Sequence, residues 1–124
     1  MFYYIFCIIY DIRRISDRRE GIQNMDLQNC NEIYFAGGCF WGVEAYFRRV
    51  AGVRDVTAGY ANGNTDKPSY EAVCSGRTGF AEAVRVKYDP LEVSLAGLIR
   101  HFFQIIDPVS VNRQGNDVGS QYRT

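Results

Sequence analysis

The chain has 124 residues, of which 47% are hydrophobic and 23% are charged, and its formal net charge at pH 7 is zero. That length fits one domain with its own core and is too short for two domains. The balanced charge argues against nucleic acid as a main partner, because phosphate binding favours a surplus of positive residues. An aromatic content of 15%, without an excess of charges of one sign, argues against intrinsic disorder.

The first 31 residues differ in composition from the rest. An apolar run over residues 2–10 is followed by a charge-dense stretch over residues 11–20 and then by polar residues. The apolar run is shorter than the roughly 20 residues that a membrane span takes, and no basic stretch precedes it. We therefore predict no membrane span and interpret residues 1–31 as an N-terminal extension that need not be ordered, or as the result of a wrongly assigned start. The folded domain is expected over residues 32–124.

Four cysteines, at positions 7, 30, 39 and 74, have long and irregular spacings, and the chain has a single histidine. Because there is no C-x-x-C pair, we predict no zinc site and no other metal. An even number of cysteines would also allow disulfides in a secreted protein. Since no secretory signal is evident, we expect reduced thiols and a cytoplasmic location.

From residue 32 the hydrophobic pattern becomes regular. It predicts a buried strand over residues 33–36, a helix over residues 39–50, and alternating strands over residues 53–60 and 81–88. The polar stretch over residues 112–122 is expected to be an irregular loop.

A second helix is predicted directly after the last of these strands. Asp89 can serve as its N-cap, Pro90 suits the first helical position, and Glu92 completes a capping box. The apolar stripe of this helix would then consist of Leu91, Leu95, Leu98, Phe102 and Ile105.

The order strand, helix, strand, strand, helix predicts an α+β domain. It matches the start of a split βαβ, ferredoxin-like arrangement, which is a two-layer α/β sandwich. Such a unit normally closes with a further strand. Because the chain stops at Thr124, we expect this core to lack its final strand.

Cys39 lies where the first predicted strand gives way to a helix, in the stretch Gly-Gly-Cys-Phe-Trp-Gly over residues 37–42. At a helix N-terminus the first N–H groups are unpaired and the helix dipole is positive, which favours the nucleophilic thiolate. A reactive cysteine and a buried structural cysteine both fit this junction. Phe40 falls on the apolar face of the helix, whereas Trp41 lies beside it and could line an apolar pocket.

Glu82 is a carboxylate on a strand face that otherwise looks buried, since it alternates with Val84 and Val86. Burial raises the pKa of a carboxyl group and keeps a proton on it near neutral pH, as a general acid requires. The alternative is that Glu82, at the start of the strand, reaches solvent. His101 lies on the polar face of its predicted helix, so a cysteine hydrolase would lack its base.

Several short blocks then occur in a fixed order along the domain. They are Gly-Cys-Phe-Trp-Gly at 38–42, Tyr-Glu-Ala-Val-Cys-Ser-Gly at 70–76, Thr-Gly-Phe-Ala-Glu at 78–82, Asp-Pro at 89–90, Gln-Gly-Asn-Asp at 114–117, and Gln-Tyr-Arg at 121–123. Together they resemble peptide methionine sulfoxide reductase A. The resemblance implies an enzyme of protein repair that reduces the S-epimer of methionine sulfoxide, free or in proteins.

The resemblance also implies a role for the two residues already singled out. Cys39 would attack the sulfoxide sulfur and become a sulfenic acid, while Glu82 would protonate the sulfoxide oxygen. No bound cofactor is implied. An external thiol would then restore Cys39, and thioredoxin, glutaredoxin and small thiols are the candidates.

Five further residues match substrate-binding positions of the family. Phe40 and Trp41 would form the pocket for the terminal methyl group of the substrate. Tyr70 and Tyr122 would hold the sulfoxide oxygen, and Asp117 would be a further polar residue of the site.

The sequence departs from the family pattern in three places. Phe80 stands where the family usually has histidine, and Ile106 and Val109 replace the histidine and threonine of a His-Asp-Pro-Thr block. The chain also ends where the family continues with a strand and a tail that often carries resolving cysteines. That tail is absent here, Cys7 and Cys30 lie in the extension, and Cys74 is expected to face the core. We therefore predict a cycle that uses Cys39 alone, in which a small thiol or a glutaredoxin-like donor reduces Cys39 and thioredoxin works poorly. The alternative is an inactive truncated relative or a gene fragment.

Overall fold

The computed structural model describes residues 9–10, 29–64 and 69–124. Its long elements are β2 (Asn31–Phe35), α1 (Phe40–Phe47), β3 (Val53–Ala61), β4 (Ala81–Tyr88) and α3 (Leu95–Ile105). Its short elements are β1 (Ile9–Tyr10), α2 (Tyr70–Cys74), β5 (Arg113–Gln114), β6 (Asp117–Val118) and a final 3₁₀ turn (Ser120–Tyr122). Among the described residues, no helix is both long and apolar enough to cross a membrane.

Strand β4 lies inside an antiparallel sheet with the order β1–β3–β4–β2. Strand β2 pairs with one side of β4, and β3 pairs with the other, where Tyr60 stands opposite Glu82. The two residues of β1, which belong to the N-terminal extension, pair with the far side of β3. The predicted α+β class is confirmed, while the ferredoxin-like subdivision remains a prediction.

The core is built around Phe35, which ends β2 and joins the two long helices to the sheet. Its ring stacks on Phe47 of α1, with centroids 4.9 Å apart, and on Phe102 of α3, with centroids 4.6 Å apart. All three rings are buried. Burial of each such side chain stabilises the fold by about 2 kcal/mol, so this stack fixes both helices relative to the end of β2.

The predicted start of the second helix is wrong. Asp89 closes a single turn, in which its carboxylate accepts the N–H of Leu91 at 2.9 Å and its carbonyl accepts the N–H of Glu92 at 3.1 Å. The Glu92 carboxylate pairs with Arg54 of β3 and does not reach back as a capping box requires. A tertiary ion pair thus occupies the side chain that the predicted capping box would have used.

Helix α3 begins five residues later than that prediction, with Ser94 as its N-cap. The Ser94 hydroxyl accepts the N–H of Gly97 at 3.0 Å, and this satisfies one of the unpaired donors of the first turn. Of the predicted apolar stripe, Leu98 and Phe102 are buried and Ile105 is partly buried against the core, whereas Leu91 and Leu95 are exposed.

Candidate active site

Cys39 is the N-cap of α1, as the residue pattern predicted. Its carbonyl accepts the N–H groups of Gly42 and Val43 at 3.1 and 3.3 Å, which starts the helix. The Cys39 side chain makes no capping hydrogen bond, and the N–H of Phe40, the first of α1, donates instead to the Glu82 carboxylate. The residue is half-buried and its thiol is not part of a disulfide.

The backbone before Cys39 is held by the C-terminal segment. The N–H of Gly38 donates to the carbonyl of Tyr122 at 3.1 Å. Gly38 has a φ of 82°, and a Cβ added there would lie 3.0 Å from the Cβ of Gln114. Positive φ and close approach both favour glycine at this position. The contacts bring the residues around 114 and 122 to the proposed nucleophile.

Glu82 is the buried acid of the site, with only 3% of its surface exposed. Burial raises its pKa from 4.5 to about 7, although the backbone N–H of Phe40 donates a hydrogen bond that acts in the opposite direction. The negative charge of Asp117 raises the pKa further. The Oε2 atom is buried and has no hydrogen-bond partner in the part of the chain that the structure describes. Glu82 is therefore a buried acid with one oxygen whose hydrogen-bonding capacity no described residue satisfies.

Two tyrosines other than Tyr70 lie close enough to Glu82 to be affected by its charge. Burial, followed by the Glu82 carboxylate, raises the pKa of Tyr60 to about 12. Burial and the charges of Glu82 and Asp117 also raise the pKa of Tyr122. Both phenols are protonated at neutral pH, as an unshifted phenol would also be, and so are hydrogen-bond donors there.

Tyr70 lies at the start of α2, the short helix that the sequence did not reveal. Ser69 caps this helix by accepting the N–H of Ala72 at 3.1 Å. The pKa of Tyr70 is raised, mainly by a hydrogen bond from its hydroxyl to the sulfur of Cys74, and its side chain is 57% exposed. Cys74 itself is exposed, so the expectation that it faces the core is wrong.

The two aromatic residues after Cys39 occupy different environments. Phe40 is buried, and its ring lies 5.4 Å from that of Tyr60. Trp41 is 64% exposed and meets the edge of Phe40 with ring centroids 4.9 Å apart. Phe40 is thus an apolar residue of the buried region around Glu82, whereas Trp41 lies at the protein surface.

Phe80, which stands where the family usually has histidine, is a core residue two positions before Glu82. It is 2% exposed, and its ring lies 6.3 Å from that of Tyr60. A Cβ added to Gly63 would lie 2.1 Å from the Phe80 ring, so only glycine fits beneath it. A buried ring here removes solvent from the neighbourhood of Glu82, which is consistent with the raised pKa of that carboxyl group.

The two substituted positions of the His-Asp-Pro-Thr block, Ile106 and Val109, differ in burial. Ile106 is half-buried against the core, and a Cβ on Gly37 would lie 2.8 Å from its side chain. Val109 is 83% exposed.

His101 forms a hydrogen bond of 2.9 Å with the hydroxyl of Tyr46. Within the described ranges, no group of three or more histidine, cysteine, aspartate or glutamate residues could hold a metal ion.

Residues 112–122 were predicted to be an irregular loop, and this is wrong. Strands β5 and β6 form a hairpin in which Gln114 pairs with Asp117, and Gly115 makes the turn with a φ of 56°. Each strand has only two residues, which is too short for alternation to be visible in the sequence. After the hairpin, Arg123 donates to the carbonyls of Gly79 and Ser120 at 2.7 and 2.8 Å, so it ties the 3₁₀ turn to the loop before β4.

The peptide methionine sulfoxide reductase family model matches residues 31–124, three quarters of the chain. The chain belongs to this family. The match ends at the same residue as the chain and begins at β2, so it takes in the site described above.

Relatives within the peptide methionine sulfoxide reductase family are close in sequence. The chain is 56% identical over 93 residues to peptide methionine sulfoxide reductase MsrA of Mycoplasma genitalium, which is 75% of this chain and 59% of that protein. It is 57% identical, with the same coverage, to the protein of the same name from Alkaliphilus metalliredigens. The chain thus spans about three fifths of the length of these curated relatives.

Solved structures from the family are also similar. Methionine sulfoxide reductase A of Corynebacterium diphtheriae superposes with a TM-score of 0.75 at 41% identity, over 77% of this chain and 45% of that one. Mxr1 from Saccharomyces cerevisiae in reduced form gives a TM-score of 0.72 at 42% identity, over 77% of this chain and 57% of that one.

Proposed function

We propose that this chain reduces the S-epimer of methionine sulfoxide, free or in a peptide, to methionine, with Cys39 as nucleophile and Glu82 as proton donor. The observation that carries the proposal is the buried Glu82 carboxyl group, whose pKa is about 7 and whose amide donor, Phe40, directly follows Cys39. The hydrogen bond from Phe40 therefore joins the start of α1, where the nucleophile lies, to the acid on β4. The names of the relatives support the same chemistry.

In the first step the Cys39 thiolate attacks the sulfoxide sulfur while Glu82 gives its proton to the sulfoxide oxygen. The oxygen then passes to the cysteine sulfur, methionine leaves, and Cys39 becomes a sulfenic acid. The cysteine is oxidised by two electrons and the sulfoxide is reduced by two. A donor with a pKa near 7 is protonated for about half of the molecules at neutral pH, which suits a general acid.

The substrate oxygen needs hydrogen-bond donors while it gains negative charge. Tyr70 and Tyr122 are proposed to supply them, and Asp117 is proposed as a polar neighbour. Phe40 and Trp41 are proposed to contact the methyl group bound to the sulfoxide sulfur. The exposed positions of Trp41 and Tyr70 leave the site open at the surface, where an oxidised methionine of another protein could enter.

An external thiol is proposed to return Cys39 to its starting state. The thiol condenses with the sulfenic acid to form a mixed disulfide and water, and a second thiol releases Cys39 by exchange. Thioredoxin, glutaredoxin or a small thiol can act in this way. A cycle that uses Cys39 alone stays a prediction, although the exposed thiol of Cys74 removes one of its premises. A cytoplasmic location, where such thiols are abundant, also stays a prediction. The family match from residue 31 supports the division into an extension, 1–31, and a domain, 32–124.

The test is to incubate the protein with each epimer of methionine sulfoxide and dithiothreitol and to measure methionine. We expect reduction of the S-epimer alone and loss of activity in Cys39→Ser. Activity should be retained in Cys30→Ser, which makes the same exchange of sulfur for oxygen at a cysteine outside the site. A sulfenic acid reagent should label Cys39 after one equivalent of sulfoxide. Reduction that survives Cys39→Ser would contradict the proposal.

A second candidate is an inactive truncated relative. It is favoured by the span of about three fifths of the relatives' length and by β2, whose outer edge has no partner strand among the described residues. An unpaired edge promotes association between chains. Analytical ultracentrifugation with thermal unfolding distinguishes a folded monomer from an associating fragment. A monodisperse monomer with a cooperative melt would argue against this candidate, and a broad melt from aggregates would support it.

A further inference from the structure

Gln114 joins the end of α3 to the hairpin beside the site. Its side-chain Oε1 accepts the N–H of Asp107 at 2.7 Å, and its Nε2 donates to the carbonyl of the same residue at 2.7 Å. Both polar atoms of one amide thus bind both backbone polar groups of one residue, as a neighbouring strand would. Such a pair of bonds fixes the side chain in position and in rotation.

The same residue contacts the backbone on the other side of the site. A Cβ added to Gly38 would lie 3.0 Å from the Cβ and 3.3 Å from the Cγ of Gln114, so the two residues are in close contact next to Cys39. In the hairpin, Gln114 pairs directly with Asp117. Gln114 therefore contacts Asp107 just after α3, Gly38 before the nucleophile, and Asp117 in the hairpin.

We propose that Gln114 is a positioning residue, which holds the Asp117 carboxylate at a fixed separation from Glu82 and so sets the pH range in which Glu82 can donate its proton. The inference rests on the proposed function, since it concerns the same acid. Gln114 itself need not touch the substrate. Its amide acts on Asp117 through the β5–β6 hairpin. Each strand of this hairpin has only two residues, so the hydrogen bonds from Gln114 to Asp107 help to hold it in place.

Asp117 is the acidic group that acts on Glu82 from the hairpin, and its charge raises the pKa of Glu82. The other titratable groups that interact with Glu82 are phenols, namely Tyr60 on β3, Tyr70 on α2 and Tyr122 on the 3₁₀ turn. Two thiols lie next to these elements: Cys39 precedes Phe40, whose N–H donates to Glu82, and Cys74 is four residues after Tyr70. The phenols are neutral at pH 7, since an ordinary phenol has a pKa of about 10 and the pKa values of these three are raised further. Asp117 is thus the charged residue whose displacement would change the pKa of Glu82.

The sign of the response follows from this arrangement. If the hairpin loosens, Asp117 moves away from Glu82 and raises its pKa less. Glu82 then loses its proton at a lower pH, and fewer molecules carry the proton needed for the first step. The rate of sulfenic acid formation would therefore fall at neutral and higher pH but not at pH 5.5, where Glu82 remains protonated.

The test compares single-turnover rates of sulfenic acid formation between pH 5.5 and 8 in the full chain. Gln114→Met keeps the length of the side chain and removes both hydrogen bonds. We expect its rate, relative to the original protein, to fall roughly two- to fivefold at pH 7.5 and to stay within about twofold at pH 5.5. Asp117→Asn should give the same pattern, and the double variant should add little to it.

Gln104→Met is the matched control, because Gln104 lies on α3 and its amide oxygen accepts a hydrogen bond from Tyr46, away from the hairpin. It should leave the pH profile unchanged. If Gln114→Met does not fold, Gln114→Asn, which shortens the reach of the amide by one methylene, should shift the profile in the same direction. A profile that Asp117→Asn moves but neither Gln114 variant moves would overturn the inference. Absence of reduction by the original protein would instead overturn the proposed function.

Discussion

The backbone N–H of Phe40 donates a hydrogen bond to the carboxylate of Glu82. Phe40 is the first residue of α1 and Glu82 is the second residue of β4, so this one bond couples the helix that begins after Cys39 to the central part of the sheet. Sites built on helices and strands hold their geometry better than sites built on loops. The first predictions follow from this coupling.

Glu82→Gln should slow sulfenic acid formation by about 100-fold or more, because the amide cannot donate a proton to the sulfoxide oxygen. In the original protein the rate should fall as pH rises through about 7, the pKa of Glu82. In the variant this dependence should disappear. Single-turnover kinetics between pH 5 and 8 measure both effects. Glu92→Gln, at the other end of the sheet, is the matched control, and equal losses in the two variants would contradict the role of Glu82.

Glu82 should also make stability depend on pH. Its pKa is raised from 4.5 in the unfolded chain to about 7 in the folded one, so the unfolded chain loses the proton first. Stability is unaffected by this group below pH 4.5 and declines as pH rises from there through 7. Glu82→Gln should therefore gain stability relative to the original protein by roughly 1–3 kcal/mol between pH 5 and 8. Urea unfolding at both pH values measures the difference, and a constant difference would exclude the effect.

Gly63→Ala should destabilise the domain by about 1–3 kcal/mol, because the added methyl group would overlap the buried ring of Phe80. Gly42→Ala is the contrasting substitution. A Cβ at Gly42 meets nothing within 4 Å, and alanine is favoured over glycine inside a helix by up to about 1 kcal/mol. Thermal unfolding should thus move in opposite directions for the two variants. Similar shifts for both would show that the packing of Phe80 does not restrict position 63.

Ser94→Ala should cost about 1 kcal/mol, because it removes the cap that accepts the N–H of Gly97. The same substitution at Ser110, whose hydroxyl donates to Asp107 in an exposed loop, should cost less. Denaturant unfolding of both variants tests the assignment of Ser94 as the start of α3. Equal costs would indicate that the cap contributes nothing specific.

Several features of the site could be predicted from the sequence because they depend on local pattern. Alternation placed β4 over residues 81–88, as observed, and it favoured a buried Glu82. Two glycines before Cys39 and apolar residues after it marked the start of a helix, which begins at Phe40. Such signals lie within a few residues of one another, so no knowledge of pairing was needed.

Other features depend on contacts between distant parts of the chain. Asp89 and Ser94 are both suitable caps, and the ion pair between Arg54 and Glu92, 38 residues apart, accompanies the later start of α3. Tyr60 was missed because its proximity to Glu82 comes from the register of β3 on β4. A single sequence does not specify that register. Gln114 was recognised only as part of a motif, since its partner Asp107 lies across a loop.

The exposed thiol of Cys74 lies one helical turn from Tyr70. A fluorescent maleimide would therefore reach it readily, whereas the half-buried Cys39 is less accessible to a bulky reagent. A dye attached there would stand next to a phenol proposed to contact the substrate oxygen. Its emission would then report on the arrival and departure of sulfoxide in real time, without a coupled reductant assay.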